Sequence, residues 1–236
     1  MKMILRTLGF PFLLIITELL MCFMTYTNYR STNKISFTFL IKSIFLYTNK
    51  NDYLFANVDW LLYLGLFSCF LLSLFYLGIR MYGATKKYRS LIIMRYVSSE
   101  KFILSWKRKG AFSAVITTVI IMIVPILGYF KLEYGFNFPL NEQIKYIFLT
   151  INIFLFLFLC VSINIFCIIR WNDVIAIIIL VTIITFILSF DIAIENISLL
   201  TYGSVKHLIF GTFVFSILIV IMKIILARGI KKYDLL

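Results

Sequence analysis

Apolar residues along the chain fall into six long runs separated by charged or polar breaks. A helix needs about 20 consecutive apolar residues to cross the roughly 30 Å hydrocarbon core of a bilayer. The runs are Thr7–Thr27, Trp60–Tyr82, Ala111–Phe130, residues 146–169, Val174–Phe190 and Leu208–Ala227, and each is predicted to be a transmembrane helix. Pro125 near the end of the third run predicts a kink, because proline removes one backbone donor. The connection from Asn28 to Asp59 holds a shorter apolar piece, Ile35–Tyr47, which is too short to span. Lys34, Thr38 and Lys42 recur every four residues there, so a helix would carry them on one face. This predicts an interfacial helix on the outer surface, with a buried or re-entrant segment as the rival.

Composition makes the membrane reading firm. Of 236 residues, 62% are hydrophobic and 14% charged, and the mean hydropathy is +1.02. Soluble domains carry about 25% charged residues, and a soluble fold of this length has no place to hide so much apolar surface. The expectation is one all-α, polytopic membrane domain over 1–236. A basic start before an apolar run also describes a signal peptide, but this run is long, contains Glu18 and lacks a small-residue cleavage pattern. A retained helix is expected. Abundant Ile, Phe, Lys, Asn and Tyr point to an AT-rich genome and hence to a bacterial cytoplasmic membrane.

The distribution of the +13 net charge predicts orientation. With the amino terminus inside, the inner segments hold sixteen Lys and Arg and the outer segments seven. The acids lean the other way: Asp52, Asp59, Glu133, Glu142, Asp191 and Glu195 fall outside. Lys and Arg accumulate on the cytoplasmic side of membrane proteins, so both termini are expected in the cytoplasm. The basic residues border apolar spans, which makes anionic lipid headgroups their expected partners and nucleic acid an unsuitable one.

The inner segment Arg80–Lys109 mixes its charges with Leu91, Ile92, Ile93, Val97, Phe102, Ile103, Leu104 and Trp106. A disordered tether has no need of such residues. Ser98 or Ser99 is placed to cap a helix beginning at Glu100, whose charge suits the positive end of the helix dipole. Phe102, Ile103 and Trp106 would share a face, while Lys101, Lys107 and Arg108 lie elsewhere. The plain alternative is a solvated basic loop that only sets topology.

This pattern resembles the six-helix permease subunits of ABC-type exporters. The residues that carry the resemblance are Gly83-Ala84-Thr85, Leu91-Ile92-Ile93, Ser98-Ser99-Glu100-Lys101 and Trp106-Lys107, with the basic end Arg228–Leu236. The short fifth run, followed by Asp191 to Lys206, is similar to the outer turn those permeases place before their sixth helix. The resemblance implies that residues 83–109 form a coupling segment, with Ser98, Ser99, Glu100, Lys101, Phe102, Trp106, Lys107 and Arg108 docking into an ABC ATPase subunit. It implies ATP and Mg bound in that partner rather than in this chain. It also implies a homodimer or a pairing with a second permease. Members linked to antimicrobial-peptide export or immunity are the expected relatives, which points to an amphipathic peptide, antibiotic or lipid-like cargo. The long first outer connection departs from the usual short one.

No catalytic constellation is present in the sequence. The nearest string to a phosphate-binding loop, Gly78-Ile-Arg-Met-Tyr-Gly83-Ala84-Thr85, has alanine where the lysine must stand. The single histidine, His207, is expected at an outer membrane edge, and HExxH and GxSxG are absent. Cys22, Cys69, Cys160 and Cys167 all fall within spans and are expected to be packing residues. An enzyme is therefore not expected. Three polar residues inside spans are candidates for a substrate path: Glu18, Asn152 and Asn164. Intramembrane carboxylates are costly and mark functional sites. Glu18 would bind a cationic group or pair with one, or else stay neutral, or snorkel. The asparagines stand twelve apart, about a third of a turn off one face, and interhelical hydrogen bonding is expected of them. Two other classes remain: a non-transporting immunity or scaffold protein that binds a toxin or sensor at its outer loops, and an ion-coupled transporter dependent on Glu18.

Overall fold

The backbone has no water to bond inside a bilayer, so a chain this apolar satisfies its amides within helices. A computed structural model describes residues 2–29, 36–46, 60–82, 99–132, 138–170, 173–194 and 198–233. Those residues form seven helices and no strand: α1 (Lys2–Tyr29), α2 (Phe37–Ile44), α3 (Trp60–Tyr82), α4 (Ser99–Leu132), α5 (Leu140–Arg170), α6 (Asp173–Ala193) and α7 (Val205–Tyr233).

Five of them are long and apolar enough to cross a membrane, over Gly9–Thr27, Leu104–Phe130, Leu140–Ile168, Val174–Ala193 and Val205–Arg228. The chain is thus an all-helical, multi-pass membrane protein. The sixth expected span, α3, has the predicted bounds, but its described apolar stretch, Leu62–Tyr76, is shorter than the other five.

α5 is the central helix. Leu149, Ile153, Phe156, Leu157, Val161 and Ile165 along it are all fully buried. α7 makes the most extensive packing against α5, and α1, α3 and α4 pack on one another beside them. α6 and α7 are apolar outward as well: Phe186 is 67% and Phe213 63% exposed. In water such surfaces would aggregate; against lipid tails they are at rest.

Close approach depends on small residues. A methyl group on Gly110 would lie 2.3 Å from Val161 Cγ1, so α4 and α5 touch there backbone to side chain. Gly211 plays the same part between α7 and α5, where a Cβ would stand 2.7 Å from Asn152 Nδ2. Small residues at crossings let membrane helices approach and gain dispersion contacts. Serine and threonine hydroxyls within the spans return to carbonyls one turn back, as in Thr118 to Ala114 (2.8 Å) and Ser73 to Cys69 (2.7 Å).

The short piece after α1 departs from the expected interfacial helix. Ser36 caps α2 by accepting from the Phe39 N–H at 3.2 Å. Phe37, Leu40, Ile41, Ile44, Phe45 and Leu46 are all buried, and the helix packs against α1, α4 and α3. Phe37 meets the rings of Tyr129 and Phe138 edge-on. Two turns carry too little polar surface to hold this segment on an interface, while its apolar side chains fill the space between three spans. Leu46 follows with φ 53°, the left-handed conformation that terminates helices, taken here by a buried leucine.

Candidate functional site

The segment expected to couple to an ATPase begins as the amino-terminal turns of α4. Ser98 lies outside the described residues, whereas Ser99, Glu100, Lys101 and Phe102 are helical. The helix then runs unbroken to Leu132, through Pro125, for 34 residues. Glu100–Lys109 and Gly110 lie within this one helix, so the amphipathic stretch is an extension of the spanning helix. Trp106 is buried, Lys107 half-buried and Arg108 exposed. Lys107 lies within electrostatic reach of Lys223 on α7, which puts the start of α4 and the later turns of α7 at one end of the bundle.

Asn152 behaves as expected of a buried span asparagine. Its Nδ2 donates to the Leu208 carbonyl at 3.0 Å, and Thr212 Oγ1 donates to its Oδ1 at 2.6 Å. These bonds join α5 to α7 and replace water that the site excludes. Asn164 is buried further along α5.

Glu18 stands nine residues from each end of the Gly9–Thr27 span. It is 2% exposed, and neither carboxyl oxygen has a hydrogen-bond partner. Cys22 on α1, Cys69 on α3 and Tyr146 on α5 are among the titratable groups within its electrostatic reach. The Tyr146 hydroxyl is committed elsewhere, donating to the Met122 carbonyl. A polar group buried without a partner costs several kcal/mol in a medium that cannot hydrogen-bond, roughly 4–8 on hydrocarbon scales. Glu18 is thus the least satisfied polar side chain described.

The opposite end of the bundle holds a polar lock that the sequence did not announce. Asp191, in the last turn of α6, is 1% exposed. Its carboxylate accepts the backbone N–H of Leu199 (2.9 Å), Leu200 (2.6 Å) and Thr201 (3.0 Å), and the Thr201 hydroxyl (3.3 Å). A carboxylate at a helix C-terminus faces the negative pole of the dipole. Three converging N–H groups form an anion nest that offsets this. The next residue carries the lock to its neighbours. Tyr202 N–H donates to the Phe45 carbonyl at 2.8 Å, just past α2. Its hydroxyl donates to Glu142 Oε2, and Lys145 pairs with Glu142 Oε1 at 2.7 Å while standing over the Tyr202 ring. The turn at 198–203 is buried and folds tightly; a Cβ on Gly203 would meet Ser198 Oγ at 1.9 Å. His207 lies just beyond, in the first turn of α7, its N–H directed at Ser204 Oγ (3.3 Å).

Asp191 and Tyr202 therefore join α6, the 198–204 turn, α2 and α5 into one assembly. The signal for it in the sequence was thin: an acid at a span end, followed within ten residues by Ser198 and Thr201. Among the described residues, no cluster of His, Cys, Asp and Glu is arranged to hold a metal ion. Comparisons of the chain with family models, with curated proteins and with solved structures found no match in any of the three.

Proposed function

We propose that the chain is the membrane-spanning subunit of an ATP-driven exporter of the ABC type, in a bacterial cytoplasmic membrane, with six spans and both ends in the cytoplasm. α3 is the sixth span: its 23 residues rise about 34 Å as a helix, enough for the hydrocarbon core. The orientation rests on the basic census and on charge placement, with Lys107 and Lys223 at one end and Glu142 and Asp191 at the other.

The observation that carries the reading is the continuity of α4. A push at Ser99–Arg108 is delivered by one helix to its buried core, beginning at Trp106 and passing through Gly110 to α5. A separate ATPase docked on Lys101, Phe102 and Arg108 would move α4 as a rod. The cargo is an amphipathic peptide, antibiotic or lipid-like molecule, because the described interior offers apolar walls and few polar groups. A second permease, identical or not, completes the path.

The test is affinity purification of the tagged chain from its native membranes, with photolabelling by an ATP analogue. An ATP-labelled partner is expected with the wild type and is lost on the double charge reversal Lys101→Glu, Arg108→Glu. A labelled partner that stays bound to the double variant removes the docking assignment. Absence of any labelled partner removes the exporter reading. The second reading, a non-transporting immunity or scaffold protein, draws on the Asp191 lock, which would present a fixed outer surface to a toxin or sensor.

A further inference from the structure

We propose that α2 is a releasable plug in the bundle, latched by the backbone bond between Phe45 and Tyr202 and controlled at a distance by Asp191. The inference does not rest on the exporter reading and survives its failure.

The docked state carries a cost at one place. Leu46 stands at φ 53°, where the Cβ of an L-residue crowds the following carbonyl oxygen. Strain of this kind persists only where the surroundings over-determine the backbone, and it gathers at parts that switch. Here the restraint is adjacent. The Phe45 carbonyl belongs to the peptide that enters Leu46, and it accepts the Tyr202 N–H at 2.8 Å. Phe45, Leu46 and Tyr202 are all buried, so the bond and the strained residue share one closed contact.

α2 has little stability of its own to fall back on. Its eight residues fall short of the roughly 12–15 that an isolated helix needs. Burial of Phe37, Leu40, Ile41 and Ile44 against α1, α3 and α4 holds it in shape. Away from that site the helix unwinds and Leu46 returns to an ordinary conformation, so release relieves the strain. Its departure uncovers the crevice where Phe37 meets the rings of Tyr129 and Phe138.

Control of the latch comes through the 198–203 turn. Tyr202 follows directly on Leu199, Leu200 and Thr201, whose N–H groups converge on the Asp191 carboxylate. That nest fixes the direction in which the next amide points. Asp191 ends α6, and the Tyr202 hydroxyl donates to Glu142 on α5. A displacement of the last turn of α6 therefore turns the Tyr202 N–H away from Phe45 and frees α2.

Thiol labelling of the purified full chain in lipid nanodiscs tests this. Ser43→Cys places a thiol on α2 at a position that is 5% exposed, Cys160 on α5 serves as the buried internal reference, and Ser204→Cys is the exposed one. With Asp191 intact, the thiol of Ser43→Cys is expected to react with a maleimide as slowly as Cys160. Adding Asp191→Ala is expected to speed it about tenfold relative to Cys160, the change that one lost hydrogen bond makes in a local opening equilibrium. Asp191→Asn gives the same comparison, with a smaller ratio, if the alanine variant does not fold. Labelling of Ser43→Cys at the rate of Ser204→Cys while Asp191 is intact overturns the proposal, because α2 is then not docked. An unchanged ratio to Cys160 in the Asp191 variants overturns it too, because the turn then exerts no separate hold on α2.

Discussion

Removing the carboxylate of Asp191 is the sharpest test of the polar lock. In Asp191→Ala, the N–H groups of Leu199, Leu200 and Thr201 lose their acceptor in a turn that is itself buried. Each buried donor left unsatisfied costs about 1–3 kcal/mol, so three set the loss at about 3 kcal/mol even at the low end. That is a large share of a total stability of about 5–15 kcal/mol. Asp191→Asn should fall between the two. Its remaining oxygen, placed where Oδ2 stands, still lies within reach of the Leu199, Leu200 and Thr201 N–H groups, while the amide group that replaces Oδ1 sets a donor against the Leu199 N–H and the charge is lost, costing about 1–2 kcal/mol. Reversible unfolding in mixed detergent micelles reads the totals, and hydrogen exchange of the 199–201 amides reads the local effect. The expected order of stability is wild type, Asn, then Ala, with faster exchange confined first to that turn. An alanine variant within about 0.5 kcal/mol of wild type, a loss typical of inconsequential surface changes, would refute the argument that the carboxylate holds the turn.

Two further outcomes follow from the same packing. Gly211→Val places a branched side chain against Asn152 Nδ2, the Ser198 carbonyl and Leu199 Cα; overpacking of this kind costs about 1–3 kcal/mol, and the same unfolding assay should show it, with Gly211→Ala milder. Tyr202→Phe deletes the hydroxyl bonded to Glu142 but keeps the ring under Lys145 and the backbone bond to Phe45. Its loss should be about 1–2 kcal/mol, and it should shrink when Tyr202→Phe is made in a Glu142→Leu background, which leaves the hydroxyl without its side-chain acceptor, as a double-mutant cycle measures.

Much of the helical plan was legible because lipid imposes a single rule on sequence: long apolar runs become helices. α3 matches its expected bounds, α6 and α7 begin within three residues of the predicted edges, and α5 begins six residues before its predicted edge. Asn152 was legible for the same reason, since an amide inside a span must bond to a neighbouring helix. The fate of Ile35–Tyr47 was not. Periodicity placed Lys34, Thr38 and Lys42 on one face, but whether the other face met lipid or protein depended on the space left between α1, α3 and α4. The amphipathic start of α4 was visible in Phe102, Trp106 and Lys107, yet its continuity with the span, through a glycine that disfavours a helix interior, is seen only in the fold.

The sequence by itself determined the solvent, the helical class and the asymmetry of charge, because these depend on composition and on periods within single segments. The tertiary structure decided which polar groups are paired. Glu18 stands in the middle of an apolar run and Asp191 just past the end of one, and that position alone does not say which of them finds partners. One ends as the acceptor of three N–H groups contributed by residues eight to ten positions later; the other is enclosed by α1, α3 and α5 with no donor at all. That difference comes from the backbone path: the 198–203 turn folds back so that three N–H groups lie about 3 Å from Asp191, whereas the packing around Glu18 brings its oxygens no hydrogen-bond partner.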